Sequence, residues 1–237
     1  MRIGSAHFIF EDEKVTIPEG EQAKFDALPP EYSQLYLAID RVLAAVICIS
    51  DPLREEARDV LTALRSLGVR NAVMLTGDSP RTAAAIAAQL GVDDFQAGVL
   101  PADKADYVAA LRREGHTVLM VGDGINDSPA LSEADAGIAI SDGAAIAREI
   151  ADITIAADSL WELVRLRQLA LALMHRIQNN YRFVIGFNGV LIGLGVAGIL
   201  PPATSAMLHN LSTLGVSLHS MSALPVAGRE TKVVKDL

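Results

Sequence analysis

Hydrophobic and polar positions divide the chain into three stretches with different periods. Up to about residue 41 the pattern is mixed, and Pro18, Pro29 and Pro30 interrupt any long element. Residues 2–10 alternate as a half-buried strand does, and residues 31–41 suit a short helix. This stretch is too short for an independent domain and reads as the tail end of one. From residue 42 to about 156 the pattern becomes regular. Short apolar or β-branched runs at 42–49, 72–75, 117–121, 137–140 and 153–155 alternate with helical stretches at 52–67, 80–90, 103–114, 129–134 and 144–151. Several of these helices open on proline or an acidic residue and close on glycine, as at Gly68, Gly91 and Gly115. Such alternation predicts βαβ units, hence an α/β fold with a parallel sheet whose ligands sit at the carboxyl ends of the strands.

The third stretch begins near Ser159. Residues 160–181 read as a mixed helix carrying Arg165, Arg167 and His175, after which no Asp, Glu, Lys or Arg occurs from Phe183 to Gly228. Pro201-Pro202 divides that run into two apolar spans, 183–200 and 203–224, each long enough for a bilayer core of about 30 Å. Arg176 and Arg182 precede the run, and Arg229, Lys232 and Lys235 follow it. The positive-inside rule then predicts a transmembrane hairpin with both ends cytoplasmic in the cell membrane.

Composition fits a chain that is polar in one part and lipid-embedded in another: 51% hydrophobic residues and a mean hydropathy of +0.31, yet 21% charged residues. A net charge of −9 over 237 residues argues against broad nucleic-acid binding, because a polyanion is repelled over most of the surface. Cys48 is the only cysteine, which excludes an intrachain disulfide and thiolate clusters, and its apolar neighbours predict a buried thiol. Met1-Arg2-Ile3-Gly4 opens without the apolar core of a signal peptide.

The chemistry concentrates in the run Gly122-Asp123-Gly124-Ile125-Asn126-Asp127-Ser128-Pro129-Ala130-Leu131. A strand delivers Asp123 to a glycine turn, and Asp127 follows at a helix start. Two neighbouring carboxylates repel each other, and hard oxygen ligands with room for water and phosphate suit Mg²⁺. Gly122 and Gly124 remove side chains that would keep a phosphate from the backbone. Thr76-Gly77-Asp78 offers a hydroxyl and backbone N–H groups at the end of another strand, just before a helix start suited to an anion. Lys104 places an ammonium near a third helix start, an unfavourable position for a cation unless an anion is held there. Taken singly, Thr76–Asp78 is a turn and Lys104 a surface lysine. Together with the paired aspartates they read as a site for phosphoryl transfer by positioning and charge neutralisation.

These motifs resemble those of haloacid-dehalogenase-type phosphotransferases, and the long form ending in Asn126-Asp127-Ser128-Pro129-Ala130-Leu131 is similar to the P-type ATPase branch. Asp51-Pro52-Leu53-Arg54, Asn180-Tyr181 and Phe187-Asn188 narrow the resemblance to heavy-metal-translocating P-type ATPases, over nearly the whole chain. The resemblance implies an incomplete Rossmann-like parallel sheet followed by a two-helix transmembrane hairpin. Residues 1–41 would be the end of a nucleotide-binding domain, and 42–158 the phosphorylation domain without its first strand. Residues 159–228 would form a stalk and two membrane helices, and 229–237 a cytoplasmic tail. Thr76 and Lys104 would hold the phosphoryl group, Asp123 would bind Mg²⁺ and Asp127 would help order the metal. ATP would be the phosphoryl donor of the complete protein, and a transition-metal ion its cargo.

The departures are as informative. The family's phosphorylated aspartate lies in a run Asp-Lys-Thr-Gly-Thr, which is absent here, as are the Thr-Gly-Glu loop, the nucleotide-binding motifs and the cysteine motif of an earlier membrane helix. The resemblance places the missing strand between those ending at Thr76 and Asp123, so the chain alone is expected to be inactive and to need an N-terminal half as partner. In the apolar stretch, Asn188, His209, Ser212 and Thr213 are the candidate ligands of the transported metal, since imidazole, amide and hydroxyl suit a borderline ion. The same polar groups also serve helix packing. Copper-type relatives carry Tyr-Asn and Met-x-x-Ser-Ser at these places, whereas this chain has Phe187-Asn188 and His209-Asn210-Leu211-Ser212-Thr213. The cargo is therefore open. Two other readings remain: a membrane-anchored phosphatase, which would need an acidic nucleophile such as Asp40 or Asp51, and a non-catalytic regulatory module.

Overall fold

Why the chain folds as two bodies, Met1–Glu162 and Leu163–Leu237, follows from the change in pattern near Ser159. The computed structural model describes residues 1–29, 32–49, 52–123, 126–140, 149–155 and 159–224.

The first body starts with an antiparallel sheet of β1 (Arg2–Gly4), β2 (Ser33–Ile39) and β3 (Val42–Ile49), in that order. Two expectations are corrected here. The strand foreseen over residues 2–10 stops at Gly4, and His7–Asp12 coils into a π-helical turn that buries Ile9 completely. Gly4 permits this, because the Phe8 ring occupies the space a Cβ would need. The helix foreseen over residues 31–41 is instead strand β2, paired with β3 from Ser33–Ile49 to Ile39–Val42. Its two-residue turn, Asp40 and Arg41, has positive φ at both positions (49° and 63°), the twist that favours a tight hairpin. The division foreseen between residues 41 and 42 falls inside this hairpin. Ile9, Val15, Tyr36, Ala38 and Leu43 form its core, with Phe10 edge-on to Phe25 and Tyr36. Cys48, foreseen as buried, is exposed on the edge strand β3.

From α2 (Ala57–Ser66) onward the expected βαβ order holds. β4 (Val73–Leu75), α3 (Pro80–Leu90), β5 (Asp94–Gln96), α4 (Pro101–Arg113), β6 (Leu119–Gly122), α5 (Ser128–Glu133), β7 (Ala136–Ile140) and β8 (Ile153–Ile155) follow in turn. Strand β5 has no counterpart in the sequence reading. All the strand pairs here are parallel, but they make two sheets: β4–β5 and β6–β7–β8. Among the described residues β4 is bonded only to β5, and β6 only to β7. The free edge of β6 leaves Leu119 51% and Val121 37% exposed. Local chemistry sets the helix ends. Ser79 Oγ accepts the Thr82 N–H at 3.3 Å, Pro80 opens α3, and Gly91 closes it at φ +71°. The helix foreseen over 144–151 lies mostly outside the described residues, as do Asp51 and the basic tail with Arg229, Lys232 and Lys235.

The second body is a helical hairpin. α6 (Trp161–Val196), whose first two residues still belong to the first body, ends at a turn through Gly198 (φ +72°), and Pro202 opens α7 (Pro202–Ser220). Arg176 donates to the carbonyls of Ser220, Ser222 and Ala223, groups at the end of α7 that the helix itself leaves without partners. Asn180 Nδ2 donates to Ser220 Oγ at 2.9 Å. The expected membrane spans are corrected in extent: among the described residues, no helix is long and apolar enough to cross a membrane. The apolar run leaves the helix at Val196 rather than continuing to residue 200, and His209, Asn210 and several hydroxyls dilute α7.

Candidate functional site

Two loops, each at the carboxyl end of a parallel strand, carry the foreseen chemistry. After β4, Thr76 Oγ1 donates to Asp78 Oδ2 at 2.8 Å and accepts the Asp78 N–H at 3.1 Å. Asp78 Oδ1 accepts from Ser33 Oγ at 2.6 Å, which ties this loop to β2. The Thr76 hydroxyl is thus held inside its own turn, and presenting it to a phosphoryl oxygen requires exchange of its bond to Asp78. Gly77 is exposed at the tip. The Thr76 carbonyl accepts from Val99 N–H at 3.0 Å, and the Asp78 carbonyl from Gly98 N–H at 2.8 Å. These bonds dock the Thr76 loop on the segment that leads into α4.

Lys104, in the first turn of α4, reaches across to the second loop. Its Nζ lies 2.7 Å from Asp127 Oδ1, and both side chains are largely buried, at 14% and 15% exposure. This contact answers the question posed by an ammonium at a helix N-terminus: its anion is Asp127, which precedes α5. A Cβ on Gly122 would stand 2.5 Å from Asp127 Oδ2, so the glycine makes room for the carboxylate. Asp123, directly after β6, and Asn126 are exposed, while Gly124 lies outside the described residues. The donor set fits Mg²⁺ in kind, with two carboxylates of which one is already balanced by a lysine. Among the described residues no group of three or more His, Cys, Asp or Glu could hold a metal. Phosphate oxygens and water would therefore have to complete its shell.

Two further features were not foreseen. Asp78 and Ser33 act as a buckle between the two sheet systems of this body, a contact spanning 45 positions that no local pattern announces. Beside the Thr76 loop lies an open hollow of about 340 Å³ lined by Gln96, Gly98, Val99, Asp103 and Tyr107. Burial, reinforced by nearby Asp94, pushes the Tyr107 hydroxyl above its ordinary value. Tyr107 follows Lys104 by three positions on α4, a helical spacing through which it could have been found.

In the hairpin, His209 Nδ1 and Asn188 Oδ1 are 2.9 Å apart. With the amide oxygen accepting, Nδ1 carries the proton and Nε2 keeps the lone pair for a ligand. Ser212 and Thr213 hydroxyls both donate to the His209 carbonyl, at 2.8 and 3.1 Å. Of the four foreseen cargo ligands, Asn188 meets the His209 ring, while the Ser212 and Thr213 hydroxyls lie on its backbone carbonyl.

Residues 3–135 match the family model described as haloacid dehalogenase-like hydrolase. The chain belongs to that family. This haloacid dehalogenase-like chain is 44% identical over 187 residues to a manganese-exporting P-type ATPase of Mycobacterium leprae, covering 78% of the chain and 26% of that protein. It is 42% identical over 212 residues to a zinc-exporting P-type ATPase of Mycobacterium marinum, covering 85% and 29%. A crystal structure of a zinc-transporting PIB-type ATPase in its E2.Pi state matches with a TM-score of 0.73 at 31% identity, over 92% of this chain and 35% of that one. The chain thus spans about a quarter to a third of the length of these relatives.

Proposed function

We propose that this chain is the C-terminal part of an ATP-driven heavy-metal cation transporter, contributing part of the phosphorylation domain and a terminal membrane hairpin. The observation that carries the reading is the largely buried Lys104–Asp127 pair, in a loop that Asp123 opens directly after β6, within a chain similar to metal-exporting P-type ATPases. Thr76 and the Gly77 backbone hold phosphoryl oxygens, Lys104 offsets their charge and orients Asp127, and Asp78 fixes the loop. Asp123 and Asp127, with Asn126 and Gly124 in the same run, would hold Mg²⁺, which when bound supplies charge neutralisation on the phosphoryl group. ATP is the donor in the complete protein.

The acceptor aspartate comes from the N-terminal part of the transporter. Its strand fits the edges of β4 and β6 that are unbonded among the described residues, and would join the two parallel sheets into one. The chain alone is then without ATP turnover, since it has no Asp-Lys-Thr-Gly-Thr run. The hairpin lies in the cell membrane within a larger bundle, its two ends cytoplasmic. Supporting this are the uncharged run from Phe183 to Gly228 and the outward apolar side chains Ile192, Val196, Leu211 and Leu218, each at least 60% exposed. Neighbouring helices of a bundle would shelter the polar positions that neither helix hides alone. The cargo is a transition-metal ion bound at His209 and Asn188, with Ser212 and Thr213 adjoining.

The test is phosphoenzyme formation from labelled ATP by the chain combined with an N-terminal half. Labelling is expected with both parts, none with this chain alone, and none with Asp123→Ala. Metal-stimulated ATP hydrolysis by the chain alone would overturn the reading.

A further inference from the structure

Polar residues on α7 do not stop at the His209 group. His209, Ser212, Val216 and His219 follow one another at offsets of three, four and three, which is one face of a helix. On α6, Asn180, Phe183 and Phe187 share a face in the same way, with the two phenylalanine rings stacked at 5.6 Å, and Asn188 follows directly. The helices run antiparallel, so Asn188 meets His209 while Asn180 meets the far end of α7 at Ser220. A cavity of about 280 Å³ opens there, lined by Asn180, Phe183, Ser212, Gly215, Val216 and His219. His209 and His219 stand about 15 Å apart along their helix, and Asn180 and Asn188 about 12 Å along theirs, at 1.5 Å per residue. The hairpin thus carries one imidazole and one amide at each of two levels, in direct contact at the first and lining one cavity at the second.

The second level differs from the first in what is already engaged. Ser220 Oγ donates to the Val216 carbonyl at 2.8 Å and accepts from Asn180 Nδ2, which orients the amide and leaves Asn180 Oδ1 to receive a ligand. Among the described residues no hydrogen bond or ion pair engages the His219 imidazole, whereas that of His209 is held by Asn188. Arg176 locks the end of α7 by three carbonyls, so the cavity wall is fixed rather than frayed. Gly215 keeps the wall low, and the Phe183 ring offers an apolar face beside the opening.

We infer that the hairpin holds a second divalent-cation site, formed by His219 with Asn180 and bordered by Ser212, one step along the helix pair from the His209–Asn188 site. It takes a borderline transition-metal ion, since one imidazole with amide and hydroxyl oxygens is a poor set for Mg²⁺ or Ca²⁺ and a fair one for Zn²⁺-like ions. Two weak sites in file let an ion be passed between them, as a single tight one would not. The inference rests on the cation-transport reading, and the experiment separates the two.

The full chain, imidazole-labelled with ¹³C and ¹⁵N in detergent micelles, is titrated with zinc chloride, the five histidines being assigned by His→Gln variants. Saturable shifts at both His209 and His219 are expected. Asn180→Ala should weaken zinc at His219 by about tenfold or more and leave His209 unchanged, with helical circular dichroism preserved. A response at His209 alone overturns the second site and leaves the transport reading standing; a response at neither overturns both. Zinc at His219 that is indifferent to Asn180→Ala is a lone surface imidazole, and also overturns the site.

Discussion

The Thr76 and Asp127 loops of the first body and the His209 region of the hairpin both gather polar side chains, but by opposite electrostatic means. In the first, charge is set against charge: Asp127 is neutralised by Lys104 at 2.7 Å. In the second, no Asp, Glu, Lys or Arg occurs between Phe183 and Gly228, and polarity is carried by imidazole, amide and hydroxyl groups. A largely buried charge must be paired, and removing one partner leaves the other stranded at a cost of about 3–5 kcal/mol. Neutral groups forgo that penalty, and the hydroxyls of Ser212 and Thr213 satisfy themselves locally on the His209 carbonyl. The first arrangement suits a fixed site, the second a site whose occupant must leave.

That contrast can be broken most sharply at Lys104. Lys104→Met should slow phosphoenzyme formation in the combined halves by about 10²–10³-fold, the usual effect of losing one electrostatic donor, and should also lower the melting temperature. A variant with normal labelling would reduce the pair to a surface contact. Next in size is Gly137→Ala, whose Cβ would lie 2.5 Å from the Leu131 carbonyl oxygen. Backbone cannot move aside cheaply, so a loss of about 1–3 kcal/mol in denaturant unfolding is expected. Gly122→Ala should cost less stability, because its obstacle is the Asp127 side chain, yet should impair labelling more by displacing that carboxylate.

In the hairpin, Asn188→Ala should weaken zinc at His209 by about tenfold, read from the imidazole shifts, and leave stability nearly unchanged. A large loss of helicity instead would mean that the pair is packing rather than a ligand set. The smallest effect belongs to Asp93, whose carboxyl is held below the usual range by the Ala72 N–H and then by Arg65. Its folded value lies under the unfolded one of about 3.9, so its contribution is present above that pH and lost as the pH falls through the lower folded value. Acid titration of Asp93→Asn should therefore show a slightly flatter fall in stability below about pH 4.

Much of the βαβ order was legible because its signals are local. Ser79 with Pro80, then Gly91, bound a helix whatever surrounds it, and the apolar run before Thr76 or Asp123 ends where a polar, glycine-containing loop begins. The loops that carry Thr76, Gly77, Asp78, Asp123, Asn126 and Asp127 were placed correctly at strand ends for that reason. Residues 33–39 were misread because both faces, Leu35, Leu37 and Ile39 against Tyr36 and Ala38, are apolar, so neither period stands out. Pairing with β3 settles the matter, through a turn at Asp40 and Arg41 that lacks the usual glycine.

By itself, then, the sequence determined the residue types of the site, the family resemblance they carry and the places where strands give way to loops. Capping, proline and glycine geometry act within a few residues and need no partner. Only the tertiary structure decided that Lys104 balances Asp127, that Asp78 is buckled to Ser33, that β4 and β6 each keep a free edge among the described residues, and that His209 meets Asn188. Each of those depends on groups at least 20 positions apart brought within hydrogen-bonding distance, or left without a neighbour, by packing. No local preference encodes such a distance.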